Sequence, residues 1–267
     1  MEPSAPALTV RAAAHRERSA GKRNTMNNSL LTAYVTLLAL TASAHAQTGA
    51  AAPLFDGKSL KGWEGDRAVW HVVEGSLVGG TLEAPISKSD YLCTIEDFDN
   101  FELRVTARIK GGTNAGVNFR SQRLPGSHEV GGYQADMGFV PGEAISRLSD
   151  VVPGDAGRPY PLWGSLLDEF RPAASRYPDP ARPYLLLAVA ARGVVEPVLR
   201  PNDWNDVVVV AAGPRLQLRL NGVTTVEFVE KGNVPVAGRV CLQVHSGPPE
   251  EAWYKNISIS RTRGSGR

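Results

Sequence analysis

The chain has 267 residues, of which 42% are hydrophobic, and carries 29 Lys/Arg against 27 Asp/Glu for a formal net charge of +2. Five of the basic and two of the acidic residues lie in residues 1–46, so the remainder holds 24 basic and 25 acidic residues and is close to neutral. No Lys/Arg cluster marks a nucleic-acid surface, and no CxxC or Cys/His spacing marks a structural zinc site.

In chain order, Leu30 to Ala42 is an apolar run too short to span a bilayer as a helix. Arg16, Arg18, Lys22 and Arg23 precede it, and Ala44-His45-Ala46, a small-x-small cleavage pattern, follows. Residues 1–46 therefore read as a secretory leader, with Met26 as a second start, and imply an exported protein. No later run is apolar and long enough for a membrane span. Residues 47–52 read as a short linker, 53–262 as a single domain and 263–267 as a disordered tail. The two cysteines, Cys93 and Cys241, each sit in an apolar strand pattern. Export permits a disulfide between them, but the pattern favours two buried thiols.

The rest reads as strands and turns. Trp70–Val73 and Ser76–Val78 flank Glu74-Gly75, a hairpin break. Phe101–Ile109 alternates over nine residues and is the clearest strand, with Phe101, Leu103, Val105 and Ile109 inward and Glu102, Arg104 and Arg108 outward. Ala115–Arg120, Trp204–Ala212, Arg215–Asn221, Val223–Phe228, Arg239–His245 and Trp253–Ile259 continue the pattern. Asn221-Gly222 is the strongest hairpin signal. Asp179-Pro180 is set to start a short helix toward Ala191. Many short strands, almost no helix and no internal repeat predict an all-β sandwich or jelly roll, with long loops and at most short helices.

Several strands carry polar residues opposite their apolar ones. Asn118 and Arg120 alternate with Val117 and Phe119, Gln134 and Asp136 with Tyr133 and Ala135, and Gln243 and His245 with Leu242 and Val244. Collected on one concave sheet, these groups suit a sugar, with Trp163 or Trp253 against a ring face. Asp168 and Glu169, if in a strand, point to opposite faces.

These phrases resemble a known family. The opening Leu54-Phe55-Asp56-Gly57-Lys58-Ser59-Leu60-Lys61-Gly62-Trp63 is followed by Asn114-Ala115-Gly116-Val117-Asn118-Phe119-Arg120, Gly132-Tyr133-Gln134-Ala135-Asp136 and Trp163-Gly164-Ser165-Leu166-Leu167-Asp168-Glu169. Asp203-Trp204-Asn205-Asp206, Leu242-Gln243-Val244-His245-Ser246-Gly247 and Trp253-Tyr254-Lys255-Asn256-Ile257 complete the set. From about Pro53 to Ile259 the chain resembles the family once called domain of unknown function 1080, now named for 3-keto-disaccharide hydrolases. The resemblance implies a concanavalin-like jelly roll and an exported enzyme acting on 3-keto-glycosides or 3-keto-disaccharides. The chain departs from the family where many members place Glu between the aromatic and the second polar residue of the Gly-Tyr-Gln-Ala-Asp strand. Its segment from Arg171 to Pro201 is also particular to a subgroup.

A ketone at C3 makes the C2 proton acidic, so a base removes it, the group on C1 leaves, and water adds back. That route differs from two-carboxylate displacement and needs a base, an enolate stabiliser and an acid. His245, Asp136 and Glu169 are the catalytic candidates, His245 first because imidazole titrates near neutrality. Asn118, Arg120, Gln134, Trp163, Asp168 and Gln243 are candidate substrate contacts, Arg120 at the enolate. The two carboxylates and His245 also form a conceivable site for a divalent cation. The ligand is a small-molecule or oligosaccharide substrate, and oligomeric state is not legible. The alternative function is a non-catalytic glycan-binding module of the same fold. An ordinary endo-glycosidase is a weaker rival, because only Asp136 stands on the relevant strand.

One expected outcome concerns export: Edman or mass-spectrometric sequencing of the mature protein should find its start near Gln47. A mature form that retains residues upstream of Leu30 contradicts the leader assignment.

Overall fold

The protein is described here by a computed structural model, covering residues 49–112, 114–142, 145, 158–171 and 184–262. The leader, the tail and the Asp179-Pro180 helix start lie outside these residues.

Two antiparallel sheets of eight strands each make up the domain. The first contains β1 (Ala52–Pro53), β3 (Trp70–Val73), β4 (Ser76–Thr81), β6 (Phe101–Lys110), β12 (Asn205–Ala212), β13 (Arg215–Leu220), β14 (Val223–Val229) and β16 (Glu250–Arg261). The second contains β2 (Trp63–Glu64), β5 (Asp90–Thr94), β7 (Asn114–Arg123), β8 (Val130–Val140), β9 (Tyr160–Pro161), β10 (Leu166–Glu169), β11 (Tyr184–Ala188) and β15 (Arg239–Val244). The first runs in the order β14-β13-β12-β6-β16-β4-β3 with β1 on β16. The second runs β11-β10-β8-β7-β15-β5-β2 with β9 on β8. A short helix, α1 (Arg192–Val195), follows β11. Where the sequence suggested a helix toward Ala191, residues 184–188 form a strand paired to β10. The Tyr-Leu-Leu-Leu run gains more from closing an open sheet edge than from a local helix.

The sandwich follows from period-two patterning. Along β6, Phe101, Leu103, Val105, Ala107 and Ile109 are buried, while the residues between them are exposed or half-buried. They meet the inward faces of β7, β8 and β15 in one continuous core. Both predicted hairpins close through left-handed residues, Glu74 with Gly75 and Asn221 with Gly222, the backbone that matches strand twist in two-residue turns.

Cys93 and Cys241 are buried, as expected, but they form a disulfide rather than two thiols. Strands β5 and β15 place them directly opposite each other across a separation of 148 residues. Sequence patterning does not reveal that register.

Leu103 is fully buried at the centre of this core. Leu103→Ala should therefore cost about 2–5 kcal/mol in urea unfolding, whereas Arg104→Ala on the outward face should stay within about 0.5 kcal/mol.

Candidate functional site

The outer face of the second sheet carries a cleft of about 570 Å³. Its floor comes from four strands: Tyr91 from β5, Gln134 and Asp136 from β8, Leu167 and Glu169 from β10, and Gln243 from β15. His245 and Ser246 follow β15. Lys88 precedes β5, and His128 and Glu129 come from the β7–β8 loop. Tyr91 Oη donates to Glu169 Oε1 at 3.0 Å, although β8, β7 and β15 lie between their strands. Four strand spacings measure roughly 19 Å in a flat sheet. The two side chains meet because the sheet is strongly concave.

Strand parity and register set the floor. Gln134 and Asp136 share one face of β8, and Glu169 joins them because it is paired with Gly132 on β8. Glycine clears the space: a Cβ on Gly116 would lie 2.4 Å from Gln134 Cδ. Gln134 therefore lies flat across β7 and donates through Nε2 to Gln243 Oε1 at 2.9 Å.

All three catalytic candidates, His245, Asp136 and Glu169, line this one cleft. Asp136 is 3% exposed, and its Oδ1 accepts the Met137 backbone N–H at 2.9 Å. Burial, reinforced by the nearby Glu169 charge, pushes its carboxyl well above the usual carboxylate range. Burial raises Glu169 to about 7, against the Tyr91 hydrogen bond, which favours the ionised form; Glu129 and Asp168 push it further up. His245 is half-buried, and its Nδ1 lies 2.6 Å from the Ser246 carbonyl oxygen. A carbonyl only accepts, so Nδ1 carries a proton and Nε2 is the ring nitrogen left to face the cleft.

The other candidates are placed differently. Gln134 and Gln243 line the cleft but spend amide groups on each other. Asn118 is fully buried beneath Gln134, whose Nε2 reaches its Oδ1 at 3.3 Å. Arg120 leaves the face. β7 shifts register after Phe119 and Arg120 has φ of 47°, so its guanidinium turns to the carbonyls of Asp99 and Gly213. Trp163 packs in the core. Trp253 lies on the other sheet, between Arg108 and Lys110. Asp168 points to the core side, as alternation with Glu169 requires, and is paired with Arg171 at 3.0 Å. Among the described residues, no three His, Cys, Asp or Glu side chains converge as ligands of one metal ion.

Sequence reasoning missed Tyr91, Lys88, Asn114 and Glu129. Tyr91 had a readable signal, since it alternates with Leu92 in a short apolar strand beside Cys93.

The raised carboxyl has a consequence for stability. Glu169 holds its proton to about pH 7 when folded, against a normal 4.5. Between those values the folded chain binds more protons than the unfolded chain, so stability is full below the lower value and falls as pH rises through the higher one. The loss is on the order of 3 kcal/mol. Urea unfolding across this range should show the decline, and Glu169→Gln should flatten much of it.

The fold is shared with solved structures of low sequence identity. A candidate glycosyl hydrolase from Parabacteroides distasonis aligns at 18% identity and TM-score 0.55, over 80% of this chain and 94% of its own. A second from the same organism aligns at 19% and TM-score 0.51, over 80% and 98%. A galectin-like protein of unknown function from Bacillus subtilis aligns at 14% and TM-score 0.51, over 81% and 97%. At these identities the likeness establishes the jelly-roll sandwich alone. No curated protein sequence matches the chain. The family description "3-keto-alpha-glucoside-1,2-lyase-like domain" matches residues 50–260, most of the chain and all of the cleft, and the protein belongs to that carbohydrate-directed family.

Proposed function

We propose that the cleft cleaves 3-keto-α-glucosides by elimination across C1 and C2, followed by hydration. The observation that carries this reading is a pair of buried carboxyls in one cleft, Asp136 on a single backbone N–H and Glu169 on the Tyr91 hydroxyl, both raised above the usual carboxylate range by burial. Carboxyls raised in this way suit proton transfer near neutrality.

Glu169, half-ionised near neutrality, takes the C2 proton that the C3 ketone acidifies. The electron pair of that C–H bond passes into the C3 carbonyl as an enolate, which re-forms the ketone and makes the C1–C2 double bond as the C1–O bond breaks. Asp136, held protonated, donates to the departing oxygen, which leaves as an alcohol. Water then adds across the double bond and gives the free 3-keto sugar. His245, first choice as base from sequence, takes a different part: its Nε2 accepts a sugar hydroxyl at the cleft mouth. Lys88 is the one lysine or arginine among the described lining residues and supplies the positive charge for the enolate that Arg120 was expected to supply.

The protein acts outside the cytoplasm in this reading. The leader pattern supports it, and so does the disulfide between Cys93 and Cys241, which suits an oxidising compartment.

The test is incubation with a nitrophenyl 3-keto-α-glucoside and with its unoxidised parent. Aglycone release from the keto form alone is expected. Glu169→Gln and Asp136→Asn should each lower kcat by about 10²–10⁴-fold. Equal cleavage of the parent would sink the keto-specific route, and tight binding without release would favour the glycan-binding module.

A further inference from the structure

Tyr91, Gln243, Gln134 and Asn118 come from four different strands, and none is more than 2% exposed. Their polar atoms form one chain with a direction. Gln134 Nε2 donates to Asn118 Oδ1 at 3.3 Å and to Gln243 Oε1 at 2.9 Å. With its carbonyl oxygen so used, Gln243 turns Nε2 to the Tyr91 oxygen at 2.9 Å. A phenol has a single proton, and an oxygen that already accepts from Gln243 sends that proton to its other neighbour. That neighbour is Glu169 Oε1, at 3.0 Å. Amides that recognise sugar hydroxyls need polar atoms open to the cleft. Here Gln134 Nε2, Asn118 Oδ1 and both polar atoms of Gln243 are turned to one another and to Tyr91, and the space for that arrangement is Gly116, where any side chain would strike Gln134.

We propose that Tyr91 is a positioning residue for Glu169: it fixes Oε1 with a permanent donor, so that the proton exchanged with the sugar enters and leaves at Oε2. Gln243, held by Gln134 Nε2, acts through Tyr91. The proposal deepens, and rests on, the assignment of Glu169 as the base. Among the described residues no hydrogen bond engages Oε2, while Oε1 is occupied.

The charged and titratable groups around Glu169 come from several elements. Asp136 stands on β8, Asp168 beside it on β10, and Glu129 and His128 on the β7–β8 loop; Lys88 and His245 flank the mouth. Glu129 and Asp168 oppose ionisation of Glu169, and the Tyr91 hydroxyl is the group that bonds directly to its carboxylate and favours the charge. Removing that hydroxyl therefore leaves the acids unopposed at Oε1.

The experiment measures cleavage of a nitrophenyl 3-keto-α-glucoside against pH for the wild type, Tyr91→Phe and Gln243→Met, the last breaking the chain without touching Tyr91. In Tyr91→Phe the acid limb of kcat should move up by about one pH unit, with KM within about twofold of wild type. Gln243→Met should move the limb the same way by less. The carboxyl ¹³C signal of Glu169 should titrate higher in Tyr91→Phe, a readout independent of turnover. An unmoved limb and an unmoved ¹³C titration in both variants overturn the proposal, as does a raised KM with kcat and limb unchanged, which would make the amides sugar contacts. Retained activity in Glu169→Gln would instead remove the base assignment. A ¹³C shift without a limb shift would separate the two in the same way, keeping the hydrogen-bond chain and discarding Glu169 as the base.

Discussion

The bond between Tyr91 and Glu169 closes over five neighbouring strands, and it depends on curvature. Each strand of the second sheet gives one side to the core. A sheet that curls away from that core, concave on its outer face, brings its outer side chains toward one another. Small residues are then required where the converging side chains must pass. Gly116 and Gly132 occupy such points, since a Cβ on either would collide with Gln134 or Ser121. The wall of the cleft is thus built from backbone at some positions and from long amides lying across it at others. The disulfide between β5 and β15 lies two residues from both Tyr91 and Gln243 and ties together the two strands that bring them side by side.

Adjacent residues of β10 show what separates scaffold from site. Asp168, fully buried on the core side, is ion-paired with Arg171, which also pairs with Glu230 at 2.6 Å. Tyr133 donates to the same Glu230 oxygen at 2.7 Å. That arrangement satisfies buried charge with opposite charge, and burial does not leave Glu230 raised: its pKa lies below the usual value, with hydrogen bonds from Gly232, Tyr133 and Arg171 outweighing desolvation. Glu169, one residue on, has a phenol in place of a cation, and Asp136 has a single backbone N–H. Burying carboxyls with so little compensation costs stability. Its return is a proton affinity near neutrality, which an ion-paired carboxylate cannot have.

Alternation made most of the sandwich legible. It placed β6 and both hairpins, and it set Gln134, Asp136, Gln243 and His245 on the outward face. It failed where the backbone leaves the strand region. Arg120, at positive φ beside a register shift, obeys no parity. Trp163 lies outside any strand and packs inward. The Cys93–Cys241 pairing and the Tyr91–Glu169 bond depend on register between strands far apart in sequence, and one sequence carries no record of that. The apolar run at 184–188 has no period to distinguish strand from helix; the open edge of β10 decided it.

The departure of β8 from the pattern that the family resemblance implies gains a physical reading from this arrangement. A Glu on the strand that reads Tyr-Gln-Ala-Asp would set two carboxylates on one strand. Here Gln134 is an amide committed to Gln243, and the second carboxylate comes from β10, where Glu169 sits on the same outward face through its pairing with Gly132. Residues two apart on one strand are held at a spacing fixed by the pleat. Carboxyls on neighbouring strands take their separation from register and curvature instead. That arrangement lets a neutral donor from a distant strand, Tyr91, engage one carboxyl while the other, Asp136, keeps a single backbone N–H. The different surroundings of Asp136 and Glu169 therefore follow from their lying on different strands.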